Sequence, residues 1–366
     1  MSLHPRNIVV LVALGALLAA CGKKAEEKVV NVFNWSDYIE PSLLEQFEKE
    51  TGIKVVYSEM DNNDTLDTKL RAGKSGFDVV APSASYLANQ IKANIYQKLD
   101  KSRLTNYKHL DPEVLKKLEA FDPGNQYAVN YMWGTSGVAY NEEKIKAIDP
   151  NAPVNSFAMF YDPNVIRKFE KCGVSMLDAP GEILGTVLMY LGKDANSEKP
   201  EDLAAAEKVL MSIRPYIRQI ESSAYIDNLA NGEWCLVLGW SGDVLQAATR
   251  AEENKQPFHI KYHIPKEGAV QFFDNFAIPA DAAHVDHAYQ FIDFMNRPEV
   301  AAKNSSYISY ANGNAASRSL IDPAVTGNPE VYPPPELAAK LVPDLPESPE
   351  FIKQLMVTWQ HFKAGK

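Results

Sequence analysis

The 366-residue chain lacks the features that would tie it to nucleic acids, bilayer spanning or hydrolysis. Its 37 lysines and arginines are outnumbered by 47 aspartates and glutamates, and phosphate binding needs a basic face. It has no Gly-x-Ser-x-Gly elbow and no His-Glu-x-x-His motif, and its 7 histidines are scattered. Beyond the N-terminal segment, no apolar run reaches the roughly 18 residues needed to cross a bilayer. We therefore expect a protein that binds no nucleic acid, is not an enzyme, and holds neither a metal nor a cofactor.

The N-terminal segment is typical of an exported protein. Arg6 precedes an apolar run at residues 8–20 that is too short for an ordinary transmembrane helix. The run ends in the letters LAAC at residues 18–21, which resembles a bacterial lipobox, where cleavage leaves a cysteine that carries lipid. We predict a signal peptide over residues 1–20, a tether over residues 21–28, and a periplasmic protein anchored by lipid on Cys21. The alternative is a plain secretory signal with Cys21 unmodified.

Cysteine is scarce, with 3 residues in all. Export places Cys172 and Cys235 in an oxidising compartment, where an even pair favours a disulfide. A closed loop of about 60 residues would contribute on the order of 4 kcal/mol by the chain-entropy estimate. Two buried thiols are the alternative, and the absence of a nearby histidine cluster makes a zinc site a poor interpretation.

The first third of the chain alternates strand-like and helix-like patterns. In chain order these patterns occupy residues 29–33, 41–51, 53–57, 64–72, 77–81 and 85–94. Such alternation predicts a parallel sheet with helices on both faces. If the strand order is 2-1-3, the residues that follow the first and third strands lie side by side at the carboxyl edge, where open α/β sheets hold ligands.

The residues at this edge suggest the kind of ligand. The first strand ends at Trp35, Ser36, Asp37 and Tyr38, while Ser83 and Ser85 follow the third strand. Aromatic faces combined with carboxylates suit an organic cation. The alternative is an ordinary capped helix whose Trp35 and Tyr38 pack in a core.

A second block of the chain repeats the arrangement. A strand-like run at residues 235–239 ends at Trp240, a helix begins near Asp243, and Pro180 opens a helix that carries Glu182. Both carboxylates could instead be simple helix-start residues, and Trp240 could be a core aromatic. Extended segments at 131–141 and 272–279 predict two crossovers between two lobes, and the cleft between lobes is a natural ligand site. We expect the proline-rich residues 332–349 to wrap the surface.

Several separated motifs occur in one order along the chain: FNWSDY (33–38), FDVVAPS (77–83), YMWG (131–134), LDAP (177–180), GWSGD (239–243), IPKEG (264–268), FFD (272–274) and YAN (310–312). From residue 29 to the C-terminus the chain resembles the polyamine-binding proteins of bacterial ABC importers, and within them the putrescine-binding type. The resemblance implies an α/β protein with the type II periplasmic binding fold, in which hinge strands join two α/β lobes around a ligand cleft. It implies lobe 1 over 29–136 plus about 271–305, and lobe 2 over 137–270 plus about 306–366.

The resemblance also implies roles for individual residues. The aromatic box around a methylene chain would comprise Trp35, Tyr38, Trp240, Phe272 and Tyr310. The carboxylates that meet the ammonium ends would be Asp37, Glu182, Asp243 and Asp274. Ser36 and Ser83 would supply oxygen contacts, and Cys172 would be bridged to Cys235.

The function that the resemblance implies is that of the substrate-binding component of a polyamine importer. Ser36, Asp37 and Phe272 look like the putrescine type. We expect a monomer that binds putrescine or a related polyamine and hands it to an ABC permease in the inner membrane. The alternative is a ligand-sensing subunit that reports polyamines to a membrane receptor.

Overall fold

The computed structural model describes residues 28–365. The predicted signal peptide, the lipidation of Cys21 and the tether up to residue 27 lie outside the described residues. Within the described range, no helix has the length and apolar character required to span a membrane.

The strands are β1 Val29–Trp35, β2 Lys54–Met60, β3 Val79–Val80, β4 Ala128–Asn141, β5 Val174–Met176, β6 Gln219–Ile220, β7 Leu236–Trp240, β8 Ile260–His263, β9 Ala269–Ala277, β10 Ala311–Asn312 and β11 Leu341–Pro343. The helices are α1 Pro41–Thr51, α2 Asn63–Arg71, α3 Ala84–Lys92, α4 Pro112–Leu118, α5 Glu142–Ile148, α6 Ala158–Tyr161, α7 Pro163–Ile166, α8 Pro180–Tyr190, α9 Pro200–Ile213, α10 Tyr225–Ala230, α11 Ser241–Glu253, α12 Val285–Met295, α13 Pro298–Ile308, α14 Pro323–Thr326, α15 Pro335–Ala338 and α16 Pro349–Ala364. Five short 3-10 turns lie at Lys101–Arg103, Tyr107–His109, Glu170–Cys172, Arg214–Tyr216 and Ala315–Ser317.

The strands join in one mixed sheet with the order β2-β1-β3-β9-β4-β7-β5-β6. β1 lies between β2 and β3 and runs parallel to both, which confirms the predicted parallel pairing and gives the 2-1-3 order that the sequence analysis considered as a condition. β5 is likewise parallel to both β6 and β7. The carboxyl ends of these parallel strands therefore face a common region from two sides of the molecule.

Two long antiparallel strands connect the two halves. β4 pairs with β9 from Ala128 to Ser136, and its second half pairs with β7 from Ser136 to Tyr140. On β9, Phe272 packs in the hydrophobic core around β1, whereas Val270 packs in the core around β5 and β7. The extended segment predicted at 131–141 thus lies within β4, and the one predicted at 272–279 covers the end of β9 and the two residues after it. Each strand contributes to both cores.

Local sequence signals determine where several helices begin. Two of these first helical turns contain predicted site residues. Pro41 opens α1 after Glu40, whose side chain accepts a hydrogen bond from the Ser42 backbone, and Gly52 ends the helix in the left-handed region at φ 67°. Pro180 similarly opens α8, and Glu182 lies in its first turn. Asp243 lies in the first turn of α11, which follows directly on Trp240.

The proline-rich tail lies at the surface, as predicted, since none of residues 332–349 is buried, but it also contains regular structure. Within residues 332–349 the chain forms α15 and then β11, which adds a parallel strand to β9. Asp344 continues this pairing by donating its backbone N–H to the Gln271 carbonyl at 3.0 Å. The edge of β9 provides hydrogen-bond partners for backbone groups of β11 that would otherwise bind water. This pairing also brings Asp344 toward the cleft.

Cys172 and Cys235 form a disulfide with their Cα atoms 5.6 Å apart, as predicted. The bridge joins a 3-10 turn before β5 to the residue before β7, 63 positions later. It therefore links the chain just before β5 to the chain just before β7, two neighbouring strands of one hydrophobic core.

Replacing both cysteines by serine should lower the free energy of unfolding by about 2–5 kcal/mol, because the cross-link no longer restricts the unfolded chain. Guanidinium unfolding checks this, with Cys21→Ser as the matched control that leaves the bridge intact. A double variant within about 0.5 kcal/mol of the parent would contradict the stabilising role given to the bridge, since the loop-closure estimate is far larger.

Candidate functional site

A cavity lies between the two cores and contains about 450 Å³ of space that protein atoms do not fill, including solvent at its mouth. Most of the predicted site residues line it: Trp35, Ser36, Tyr38, Ser83, Glu182, Trp240, Asp243, Phe272, Asp274 and Tyr310. Trp240 packs against both cores, which places its indole at the boundary between them. We call this space the inner cavity.

Aromatic rings form a continuous wall of the inner cavity. Trp35 and Trp240 meet edge to face with centroids 5.8 Å apart, and Trp240 meets Phe272 at 6.2 Å. Tyr310 extends the series, lying 6.1 Å from Phe272 and 4.9 Å from Tyr38. The rings come from the ends of two strands, from β9 and from the segment after α13. Both halves of the molecule therefore contribute to this wall.

Hydrogen bonds fix the orientation of the two indoles. Trp35 donates its Nε1–H to the Ala81 carbonyl at 2.9 Å, and Trp240 donates to Glu182 Oε2 at 2.9 Å. Tyr310 can lie against α11 only because residue 242 is glycine: a Cβ there would be 2.2 Å from the ring. The two indoles and the Tyr310 ring are therefore held in defined orientations.

Asp274 projects from β9 into the cavity and is 3% exposed. It accepts hydrogen bonds from Ser83 Oγ at 2.6 Å and from Tyr38 OH at 2.8 Å. Burial raises the pKa of this carboxyl to about 6 despite both donors.

Asp243 is 5% exposed and is held from two sides by phenols. Tyr225 OH and Tyr310 OH each donate to it at 2.7 Å. Burial raises its pKa to about 7, although its place in the first turn of α11 favours the ionised form.

Glu182 is 9% exposed and receives hydrogen bonds from Ser136 Oγ and Trp240 Nε1, both at Oε2. Burial raises the pKa of this carboxyl, and the negative charge of Asp344 raises it further. Among the residues that line the inner cavity there is no lysine or arginine. Three buried carboxylates thus depend on neutral donors, and a bound cation would offset their charge.

Two predicted residues lie outside the inner cavity. Asp37 adopts a left-handed backbone at φ 54°, and its carboxylate pairs with Arg250 at 2.5 Å. Ser85 lines a neighbouring space, where its hydroxyl donates to Asp344 Oδ2 at 2.7 Å. Ser36 lines the inner cavity while its hydroxyl donates to the Met60 carbonyl at 3.3 Å.

Five lining residues escaped the sequence prediction: Met60, Asp61, Ser222, Ser223 and Ile226. Met60 ends β2 and pairs with Trp35 in the β1–β2 register, and Asp61 follows it. Ser222 and Ser223 come shortly after β6. The rule that ligands gather at the carboxyl ends of parallel strands would have identified these four positions if applied to every strand, whereas Ile226 lies in α10.

One group elsewhere among the described residues has metal-binding potential. Carboxylate and imidazole atoms of Glu142, Glu143 and His259 lie within 4.8 Å of one another near the surface. Lys146 already pairs with Glu142 at 2.5 Å, and such exposed acidic groups are common without an ion. We assign no function to it.

Comparisons with known proteins agree with this geometry. A model of the bacterial extracellular solute-binding protein family matches residues 42–333. The chain is 48% identical over 96% of its length to the putrescine-binding periplasmic protein SpuD of Pseudomonas aeruginosa (strain UCBPP-PA14), covering 96% of that relative. It has the same identity and coverage with the putrescine-binding periplasmic protein PotF of Escherichia coli (strain K12). A solved structure described as a putative spermidine/putrescine ABC transporter from Listeria monocytogenes superposes with a TM-score of 0.83 at 31% identity, covering 93% of this chain and 100% of that one.

The raised pKa of Asp243 has a consequence for the stability of the ligand-free protein. Its folded pKa of about 7 lies above the value of about 3.9 expected when unfolded, so the folded state holds more protons between these values. The contribution of Asp243 to the free energy of unfolding should therefore fall as pH rises from about 4 to about 7, by at most about 1.4 kcal/mol per pH unit. Above the folded pKa this contribution should be constant.

The free energy of unfolding should be measured from pH 4 to 9 for the dialysed parent protein and for the Asp243→Asn variant. The difference between the two values at each pH gives the contribution of Asp243. Glu253→Gln, an exposed carboxylate on the same helix α11, is the matched control. A parent-minus-Asn difference that does not vary with pH would show that Asp243 titrates normally.

Proposed function

The chain belongs to the bacterial extracellular solute-binding proteins, and we propose that it is the substrate-binding component of an ABC-type polyamine importer. The proposed ligand is putrescine or a related polyamine, held in the inner cavity. The observation that carries the proposal is that aromatic rings from both halves surround three buried carboxylates and no cationic side chain. The names of the relatives, putrescine-binding periplasmic proteins, support the same ligand class.

The chemistry of a linear diamine matches the cavity in two respects. Its methylene chain is apolar and fits between Trp35, Trp240 and Phe272, and each ammonium group gains about 0.5–2 kcal/mol from a nearby aromatic face. Its ammonium groups would form charge-assisted hydrogen bonds with Asp243, Asp274 and Glu182, which are roughly twice as strong as neutral ones. A neutral or anionic solute would leave these carboxylates uncompensated.

The same charges give a reason for the lobes to close on the ligand. We propose lobe 1 over 29–136 plus about 271–305, and lobe 2 over 137–270 plus about 306–366, with β4 and β9 as the connections. In this division Asp274 comes from lobe 1, whereas Glu182 and Asp243 come from lobe 2. Without a ligand the carboxylates repel across the cleft and favour opening; a diammonium ligand neutralises them and draws the lobes together.

The protein's place in the cell follows from its N-terminus and from its family. We propose that the mature chain acts in the periplasm as a monomer, tied to a membrane through lipid on Cys21. It binds its ligand there without chemical change and delivers it to an ABC permease in the inner membrane. Mass measurement of the mature N-terminus tests the lipid, and deletion of the gene followed by uptake assays tests delivery.

Calorimetry with putrescine, cadaverine, agmatine and spermidine tests the binding function. We expect at least one Kd well below roughly 0.1 mM, which corresponds to about −5.5 kcal/mol. Asp243→Asn should weaken that binding by roughly tenfold to a hundredfold, because a hydrogen bond to a charged group contributes about 1.5–3 kcal/mol. Glu253→Gln, with the same loss of charge away from the cavity, should bind like the parent. If all four amines bind with a Kd above roughly 0.1 mM, the proposal is rejected, because the binding free energy would then be weaker than about −5.5 kcal/mol.

A further inference from the structure

The pairing of β4 with β9 is interrupted at one point, beside the inner cavity. Asn130 pairs with Asn275 and Met132 pairs with Asp274, so Tyr131 is one extra residue on β4, a β-bulge. Tyr131 and Met132 consequently both pack in the hydrophobic core around β1, whereas neighbouring residues of a regular strand point to opposite faces. Bulges redirect side chains, and this bulge lies opposite a carboxylate of the cavity.

The side chain of Asn130 spans the bulge and holds the backbone of Asp274. Its amide group donates to the Asp274 carbonyl at 3.1 Å and to the Met132 carbonyl at 3.3 Å, one on each strand of the irregular pair. Asn130 is 2% exposed, and it has room because residue 313 is glycine: a Cβ there would lie 2.2 Å from Asn130 Oδ1. The placement of Asp274 beside the bulge therefore depends on Asn130.

The extra residue, Tyr131, holds one of the two hydrogen-bond donors of Asp274. Its hydroxyl donates to the backbone carbonyl of Tyr38, and the two rings meet edge to face with centroids 5.4 Å apart. Asn304 on α13 fixes the same hydroxyl by donating to it at 2.8 Å, and it accepts the Glu40 backbone N–H at 2.8 Å. The segment between β1 and α1 that contains Tyr38 is thus tied to β4 and α13.

The bulge thereby connects both ends of one hydrogen bond in the inner cavity, the bond that Tyr38 OH donates to Asp274 Oδ2 at 2.8 Å. Asn130 holds the backbone that carries the acceptor, and Tyr131 holds the backbone that carries the donor. Neither Asn130 nor Tyr131 is among the described residues that line the inner cavity, so any effect on a ligand must pass through the residues that they hold.

We propose that Asn130 and Tyr131 are positioning residues for the ligand: they keep Asp274 and Tyr38 in register, so that the carboxylate retains its donor and its orientation toward a bound ammonium group. This inference rests on the proposed polyamine-binding function and adds two residues that do not touch the ligand. When either hold is lost, Asp274 and Tyr38 move apart, and the carboxylate is no longer fixed where the ligand meets it.

Tyr131→Phe tests the proposal because it removes the hydroxyl and keeps the ring in the core. Calorimetry should show that putrescine binds roughly threefold to tenfold more weakly than to the parent protein, as expected for the loss of one ordinary hydrogen bond. Tyr289→Phe is the matched control, since Tyr289 is a buried tyrosine of α12 whose hydroxyl accepts the Asp100 backbone N–H at 2.7 Å, outside the inner cavity. This control should bind putrescine like the parent.

A double-mutant cycle distinguishes positioning from a general loss of structure. Tyr38→Phe removes the donor itself, so Tyr131→Phe should change the putrescine Kd by less than twofold in that background. An equal loss of affinity in both backgrounds would overturn the proposal. The proposal would also be overturned if Tyr131→Phe alone bound putrescine like the parent.

Asn130→Ala examines the other half of the bulge and should weaken putrescine binding by a similar factor. Asn296→Ala is its control, because Asn296 is also buried and its amide donates to the Ile292 carbonyl at 2.9 Å, away from the inner cavity. If Asn130→Ala left the putrescine Kd unchanged, the role given to Asn130 would be wrong.

Proton release gives a further readout that a general structural defect would not change. The hydrogen bond from Tyr38 lowers the pKa of Asp274, so its loss should raise that pKa and leave more of the carboxyl protonated at pH 6.5. The other titratable groups near it are Glu182 and Asp243, which line the same cavity, and Tyr131, whose pKa burial raises.

Putrescine binding at pH 6.5 should therefore release more protons from Tyr131→Phe than from the parent, as it should from Tyr38→Phe. Calorimetry in buffers of different ionisation enthalpy measures the difference. Equal release from Tyr131→Phe and the parent would overturn the positioning role while leaving the polyamine function intact. Failure of the parent to bind putrescine would overturn the proposed function and this inference together.

Discussion

The burial of Asp243, Asp274 and Glu182 in one cavity is the constraint on which the rest of the structure depends. Each carboxylate is less than a tenth exposed, and their hydrogen-bond donors are hydroxyl, phenol and indole groups, which carry no charge. An uncompensated buried carboxylate is costly, and proteins usually neutralise it by a shift in pKa or by a partner cation. Here burial raises the pKa of all three carboxyls, which leaves the cavity poised for a ligand that brings the missing positive charge.

The fold supplies these groups from strand and helix ends that are distant in the sequence. Trp35 ends β1, Trp240 ends β7, and Asp274 lies on β9, one of the two strands that contribute to both cores. The parallel strands of each half direct their carboxyl ends toward the same region. The cavity therefore lies between the two halves, at these strand ends. The carboxylates are buried among these rings, so electrostatic attraction to a cation is stronger there than at the surface.

Much of this arrangement could be predicted from the sequence. Alternating patterns predicted the parallel strands β1 to β3 and the helices between them, and the resemblance to a family identified most of the residues that line the inner cavity. Local pattern alone left Asp243 and Glu182 as ordinary helix-start carboxylates. Asp37 shows why the predicted set of cavity residues was partly wrong. Its backbone is left-handed, and its carboxylate pairs with Arg250, more than 200 positions away, which no local sequence pattern indicates. The pairing of β11 was missed for a similar reason, because the free edge of β9 that receives it exists only in the folded sheet.

Ligand binding at this site should involve protons as well as charge. If buried carboxylates with raised pKa values receive the ligand, then binding of putrescine must release protons where those groups are partly protonated. Calorimetry at pH 6.5 in buffers of different ionisation enthalpy counts these protons directly. We expect a release of about one proton or more at pH 6.5 that declines toward zero near pH 9, since Asp243 titrates at about 7. Putrescine binding without proton release at either pH would contradict the claim that Asp243, Asp274 and Glu182 are the groups that receive it.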